Sequence, residues 1–129
     1  MKRKLVVCAL AVCMVMLLAT SALAAGVMPL WDKVLDCTPS LTINGNTAKC
    51  ELYVKAINGN DKITATVTLQ KENSRGNYTN VKSWPGLKGT GSLSFADSYT
   101  VTAGSNYRLR ADVTVSGSSG TESITEYAY

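Results

Sequence analysis

Apolar and polar residues alternate along most of the chain. The segment KITATVTLQ, 62–70, places isoleucine, alanine, valine and leucine on one face, and YRLRADVTV, 107–115, repeats the arrangement. Such a period of two is typical of strands with one buried face. Turn-forming residues at 44–46, 58–61 and 116–120 separate these segments. The pattern predicts an all-β fold, an antiparallel immunoglobulin-like β-sandwich of about seven strands.

Turn and breaker residues set the predicted strand ends. Pro85 and the glycine-rich 86–92 are expected to end the fourth strand, and 92–102 to form one bent strand or two short ones. The remaining predicted strands are 41–43, 47–55, 62–70, 78–84, 107–115 and 121–129.

Before the first strand, the chain carries a basic and then an apolar segment. Three basic residues precede an apolar run, and Ala22-Leu23-Ala24 follows, so residues 1–24 are predicted to be a cleaved signal peptide helix. Residues 25–129 would then form one secreted or cell-surface-associated domain, monomeric and without a stable membrane anchor. Residues 25–38 form an apolar leader whose spacing resembles a short helix packed over one end of the core.

Charge and cysteine content limit the possible partners. Removal of the signal peptide leaves ten basic and nine acidic residues, so a nucleic-acid partner is not expected. Cys37 and Cys50 remain, and a pair in an exported chain predicts one disulfide. Since the chain has no histidine, the usual zinc sites cannot form, and we expect no metal and no cofactor.

Tyr107 follows the corner Ala103-Gly104-Ser105 at the start of a predicted strand, the position of the structural tyrosine corner in immunoglobulin-like and fibronectin-type sandwiches. Together, TAKCEL, ITATVTLQK, YTNVKSW, AGSNYRLRADVTV and TESITEYAY resemble a family of small exported Gram-positive bacterial proteins that consist of a signal peptide and one β-sandwich. The resemblance implies fold and export, and it transfers no functional residue.

Candidate catalytic groups are few. Absence of histidine removes the commonest general base. Glu122 and Glu126 are predicted to share a strand face roughly 13 Å apart, too far for joint action on a glycosidic bond. Glu51 and Asp112 are expected on solvated faces. We therefore do not expect an enzyme.

Exposed aromatic rings are the stronger candidates for binding. They can stack on sugars or anchor protein contacts, and they can equally pair across strands to stabilise a sheet. Arg108 and Arg110 are interpreted as a charged sheet face paired with Asp112, with Glu122 and Glu126 on the neighbouring strand. We expect a non-catalytic module that recognises a protein or glycan, or alternatively a secreted antagonist such as a bacteriocin-like toxin or an enzyme inhibitor. The candidate surface residues are Tyr53, Tyr78, Trp84, Tyr127 and Tyr129.

Overall fold

The computed structural model describes residues 31–129. The predicted signal peptide, residues 1–24, and the leader up to residue 30 lie outside this range. Within it, no helix is long and apolar enough to cross a membrane. The described residues form seven antiparallel strands, which confirms the all-β prediction. The strands are β1 (Val34–Asn44), β2 (Thr47–Ala56), β3 (Lys62–Glu72), β4 (Tyr78–Thr90), β5 (Ser92–Thr100), β6 (Tyr107–Gly117) and β7 (Gly120–Ala128).

The strands follow the hydrogen-bonded order β1-β2-β5-β4-β3-β6-β7 and form two antiparallel sheets, β1-β2-β5 and β4-β3-β6-β7. A single residue pair, Thr90 with Ser92, connects the sheets where β4 leads into β5. Gly91 lies between them with φ +72, and a Cβ at this position would lie 2.6 Å from the carbonyl oxygen of Gly59. The chain can therefore pass from one sheet to the other here only through a residue without a side chain.

The core lies between the two sheets and follows directly from the alternation. Inward positions of β2, β3 and β6 are almost completely buried, whereas their neighbours along each strand face outward. The largest fully buried aliphatic side chains are Leu52, Ile63, Leu69, Leu109, Val34, Val54, Val67, Val113 and Val115.

Two predicted features of the strands are wrong. The leader does not continue as a helix beyond residue 30, because β1 already begins at Val34, which is buried while Leu35 is exposed. The fourth strand does not end at Pro85. Pro85 and Gly86 lie together opposite Thr66 as a β-bulge, so pairing with β3 resumes at Leu87.

One end of the molecule is closed by a buried polar cluster. The Lys33 ammonium group lies 2.6 Å from the Ser119 hydroxyl and 3.7 Å from the Asp61 carboxylate. The Glu122 carboxylate accepts hydrogen bonds from the backbone N–H groups of Asp32 and Lys33, at 3.2 and 2.6 Å. These contacts attach the chain before β1 to the turns that lead into β3 and β7.

The predicted disulfide is not formed: Cys37 and Cys50 are free, buried thiols. Both side chains face the core, but the register pairs Cys37 with Val54 and Cys50 with Leu41. Four residues along a strand correspond to roughly 13 Å. Because a disulfide needs Cα atoms within about 7 Å, the register keeps the two sulfurs apart.

Candidate tyrosine and arginine surface

Two of the predicted surface tyrosines, Tyr78 and Tyr127, contact one arginine on the outer face of the four-stranded sheet, and a third, Tyr129, lies beside Tyr127. We call Tyr78, Arg108, Tyr127 and Tyr129 the tyrosine–arginine patch. The Cζ atom of Arg108 lies 4.0 Å from the ring centroid of Tyr78 and 4.5 Å from that of Tyr127. The guanidinium group is therefore in cation–π contact with rings from two different strands.

A chain of amide hydrogen bonds holds the arginine in place. Arg108 on β6 is paired with Gln70 on β3, and its Nε donates to Gln70 Oε1 at 2.7 Å. The Nε2 of Gln70 donates in turn to Asn80 Oδ1 on β4 at 2.8 Å. Gln70 is only 5% exposed. Three strands thus fix the orientation of one guanidinium group.

The two C-terminal tyrosines supply the accessible rings of the patch. Tyr127 lies near the end of β7 and Tyr129 just after it, with ring centroids 6.5 Å apart and planes 30° from each other. Tyr127 is 38% exposed and Tyr129 is 77% exposed. They present two adjacent aromatic surfaces, tilted relative to each other, to solvent.

Arg110, two residues further along β6, has a different environment. Its Nε lies 3.0 Å from Asp112 Oδ2, so its charge is paired with a carboxylate. The predicted pairing with Asp112 is confirmed for Arg110, but Glu122 and Glu126 do not lie on this face. Glu122 is paired with Val115 and Glu126 with Ala111, and both of these partners face the core. The two glutamates therefore lie on the opposite face of β7 from Tyr127.

The remaining two candidate aromatics are separated from the patch. Tyr53 lies on the outer face of the other sheet, beside an open groove of about 440 Å³ that Ser40 and Ser94 also line. Trp84 is half-buried; its indole N–H donates to Asp97 Oδ2 at 2.8 Å, and its ring lies 5.4 Å from that of Phe95. Trp84 therefore covers the open side of the core between β4 and β5.

Tyr107 is buried at the start of β6. Its hydroxyl accepts a hydrogen bond at 3.0 Å from the backbone N–H of Thr102, five residues upstream. The contact ties the corner between β5 and β6 to the core.

The candidate carboxylates pair with basic residues, and the thiols are buried. Glu51 pairs with Lys49 at 2.7 Å on a solvated face, and Asp112 pairs with Arg110. Burial is the largest cause that raises the pKa of Cys37 to about 12 and that of Cys50 to about 11, so both are protonated at neutral pH. In residues 31–129, no three cysteine or carboxylate side chains cluster as metal ligands would.

No family model matches the chain, and no curated protein matches its sequence. The function must therefore be inferred from the chemistry and geometry of the site. The sequence indicated the tyrosines but not Arg108 as their centre or Gln70 as its anchor. The alternation places Arg108 and Gln70 on outward faces, and only the order β4-β3-β6-β7 brings them between Tyr78 and Tyr127.

Proposed function

We propose that this chain is a small exported binding module that recognises a protein or glycan outside the cell through the tyrosine–arginine patch. Its action would be contact without turnover. The observation that carries the proposal is the contact of Tyr78 and Tyr127 with Arg108 on one open sheet face, with Tyr129 beside Tyr127. Aromatic rings and arginine are the residues that most often dominate binding surfaces.

The fold proposed for this module is an immunoglobulin-like sandwich. Support comes from the packing of a three-stranded against a four-stranded antiparallel sheet and from the hydrogen bond of Tyr107, which matches a tyrosine corner. Support for export comes from the basic and apolar residues of 1–24 and the small residues that follow them. A secreted or surface-associated module would meet its ligand outside the cell.

The test is binding of the secreted protein to a glycan array and to extracellular proteins. We expect the double variant Tyr127→Ala/Tyr129→Ala to lose the binding, because it removes the accessible rings. Tyr53→Ala is the matched control, since Tyr53 is similarly exposed on the opposite outer face. Loss of binding in Tyr53→Ala alone would indicate that the ligand binds in the groove beside Tyr53. Binding that is insensitive to all three changes would contradict the proposal.

A second candidate, an inhibitor of another organism's enzyme, is favoured by the loop 73–77. Asn73 Oδ1 accepts hydrogen bonds from the backbone N–H groups of Arg75 and Asn77 at 2.9 and 3.0 Å, and Gly76 N–H donates to the Asn73 carbonyl at 3.0 Å. This rigid turn displays the exposed Arg75. Inhibition of an arginine-specific protease that Arg75→Ala abolishes would support this candidate instead.

A further inference from the structure

The charge of Arg108 distinguishes it from the buried Lys33 and from Arg110 on the same strand face. Lys33 lies near Asp61 and Arg110 is paired with Asp112, whereas none of the ion pairs within residues 31–129 includes Arg108. Its only side-chain hydrogen bond in this part of the chain uses Nε. The two terminal nitrogens are thus held in a fixed plane, with donors that no carboxylate of the described residues occupies.

We infer that the tyrosine–arginine patch binds an acidic glycan, with the terminal nitrogens of Arg108 donating to a sugar carboxylate and the rings of Tyr127 and Tyr129 stacking on the sugars. This inference rests on the proposed function and specifies its ligand. A planar guanidinium fork matches a carboxylate through two parallel hydrogen bonds. Since the patch offers one guanidinium, it suits a singly charged group; polymers of phosphates need clustered basic residues.

The surroundings of the patch favour a glycan over a protein. Thr125 is two residues before Tyr127 on the same strand face; its hydroxyl donates to Asp112 Oδ1 at 2.8 Å, so its oxygen can still accept. The hydroxyls of Thr114 and Ser123 meet at 3.0 Å further along the sheet. Serine and threonine are under-represented where proteins bind one another. Hydroxyls beside aromatic rings can exchange hydrogen bonds with sugar hydroxyls while the rings cover the apolar sugar faces.

Asn80 adds a donor on the opposite side of Arg108. Its Oδ1 accepts from Gln70, which directs the Nδ2 group away from that contact. Asn80 is exposed. The patch therefore combines a fixed cation, ring surfaces and neutral polar groups, the set that an acidic sugar polymer can use in one orientation.

The test compares two polysaccharides with the same backbone, polygalacturonate and its highly methyl-esterified form, by calorimetry with the full secreted protein. We expect binding to polygalacturonate and at least about tenfold weaker binding to the ester, because esterification removes the charge and one acceptor. Arg108→Gln should weaken binding to polygalacturonate by a similar factor. Arg110→Gln is the control, since its charge is already paired with Asp112.

The outcomes separate this inference from the proposed function. Equal binding of the acid and the ester that depends on Tyr127 and Tyr129 but not on Arg108 would overturn the acidic ligand and leave a glycan-binding module. Equal binding of poly-glutamate and polygalacturonate would overturn the preference for sugars. If no glycan binds and the tyrosines are required only for a protein partner, the inference fails and the broader proposal stands. If no binding depends on the tyrosines, both fail.

Discussion

The two buried thiols should make this protein less stable as the pH rises into the alkaline range. Cys37 and Cys50 have pKa values of about 12 and about 11 in the folded chain, against 9.0 for an exposed thiol, chiefly because burial disfavours the thiolate. A folded pKa above the unfolded one means that the unfolded state loses its protons first. The contribution is therefore complete below pH 9 and is lost as the pH rises towards 11 and 12.

The size of the effect follows from the width of this window. At one pH unit above the unfolded pKa, deprotonation of the unfolded chain lowers the free energy of unfolding by about 1–2 kcal/mol for each thiol. At pH 10 the two thiols together therefore lower it by about 3 kcal/mol. For a domain of this size that is a large share of the total stability.

The assay is urea denaturation at pH 8 and pH 10, on the wild-type chain and on Cys37→Ala/Cys50→Ala. All other side chains are the same in both proteins, so the difference between the two pH responses isolates the thiols. We expect the wild type to lose about 3 kcal/mol more than the double variant between these pH values. Parallel losses would refute the reasoning, and so would a secreted wild-type protein that yields no titratable thiol after denaturation.

Three further changes test contacts that hold the fold together. Tyr107→Phe removes the acceptor of the Thr102 N–H and should lower the free energy of unfolding by about 1–2 kcal/mol, measured by denaturant titration. Gly91→Ala places a Cβ against the Gly59 backbone at a residue whose φ is already positive. It should cost clearly more stability than Gly45→Ala, where φ is +61 but the Cβ would meet nothing and the cost should be about 1 kcal/mol. Equal melting temperatures of the two variants would contradict the clash. Lys33→Met leaves Asp61 buried without its cation and should cost about 3 kcal/mol, part of which Asp61→Asn should restore in the double variant; no recovery would contradict the pairing.

Much of the fold was predictable because alternation reports burial directly. In β3 and β6 each apolar residue of 63–69 and 107–115 faces the core, as the period of two requires. Pro85-Gly86 was misinterpreted because the same residues that end strands also form bulges within an edge strand. Local sequence did not distinguish the two, since the difference lies in pairing with β3.

The disulfide prediction failed for a reason that the sequence itself contained. Asn44-Gly45-Asn46 specifies a tight hairpin, and counting back from the pair Asn44 and Thr47 places Cys37 opposite Val54. The alternation of side chains shows that the two cysteines face the same side of the sheet. Only the register of strand pairing shows whether they are close enough to bond. The tyrosine–arginine patch was a harder problem, because the hairpin turns do not specify that β3 and β6 lie between β4 and β7.

Structural support alone is a weak explanation for the ordering of Arg108. Two cation–π contacts at half-exposed rings contribute about 1–2 kcal/mol, and the hydrogen bond from the charged guanidinium to Gln70 adds about 1.5–3 kcal/mol. Fixing a long arginine side chain costs up to about 2 kcal/mol of rotamer entropy, which offsets much of that gain for the fold. A ligand gains more, because a guanidinium that is already ordered need not lose that freedom again on binding. Arg110 reaches Asp112 two residues away on its own strand and neutralises its charge locally, while Arg108 is held equally firmly with its charge uncompensated. That contrast between two arginines on one strand face is what favours a binding role for Arg108 over a purely structural one.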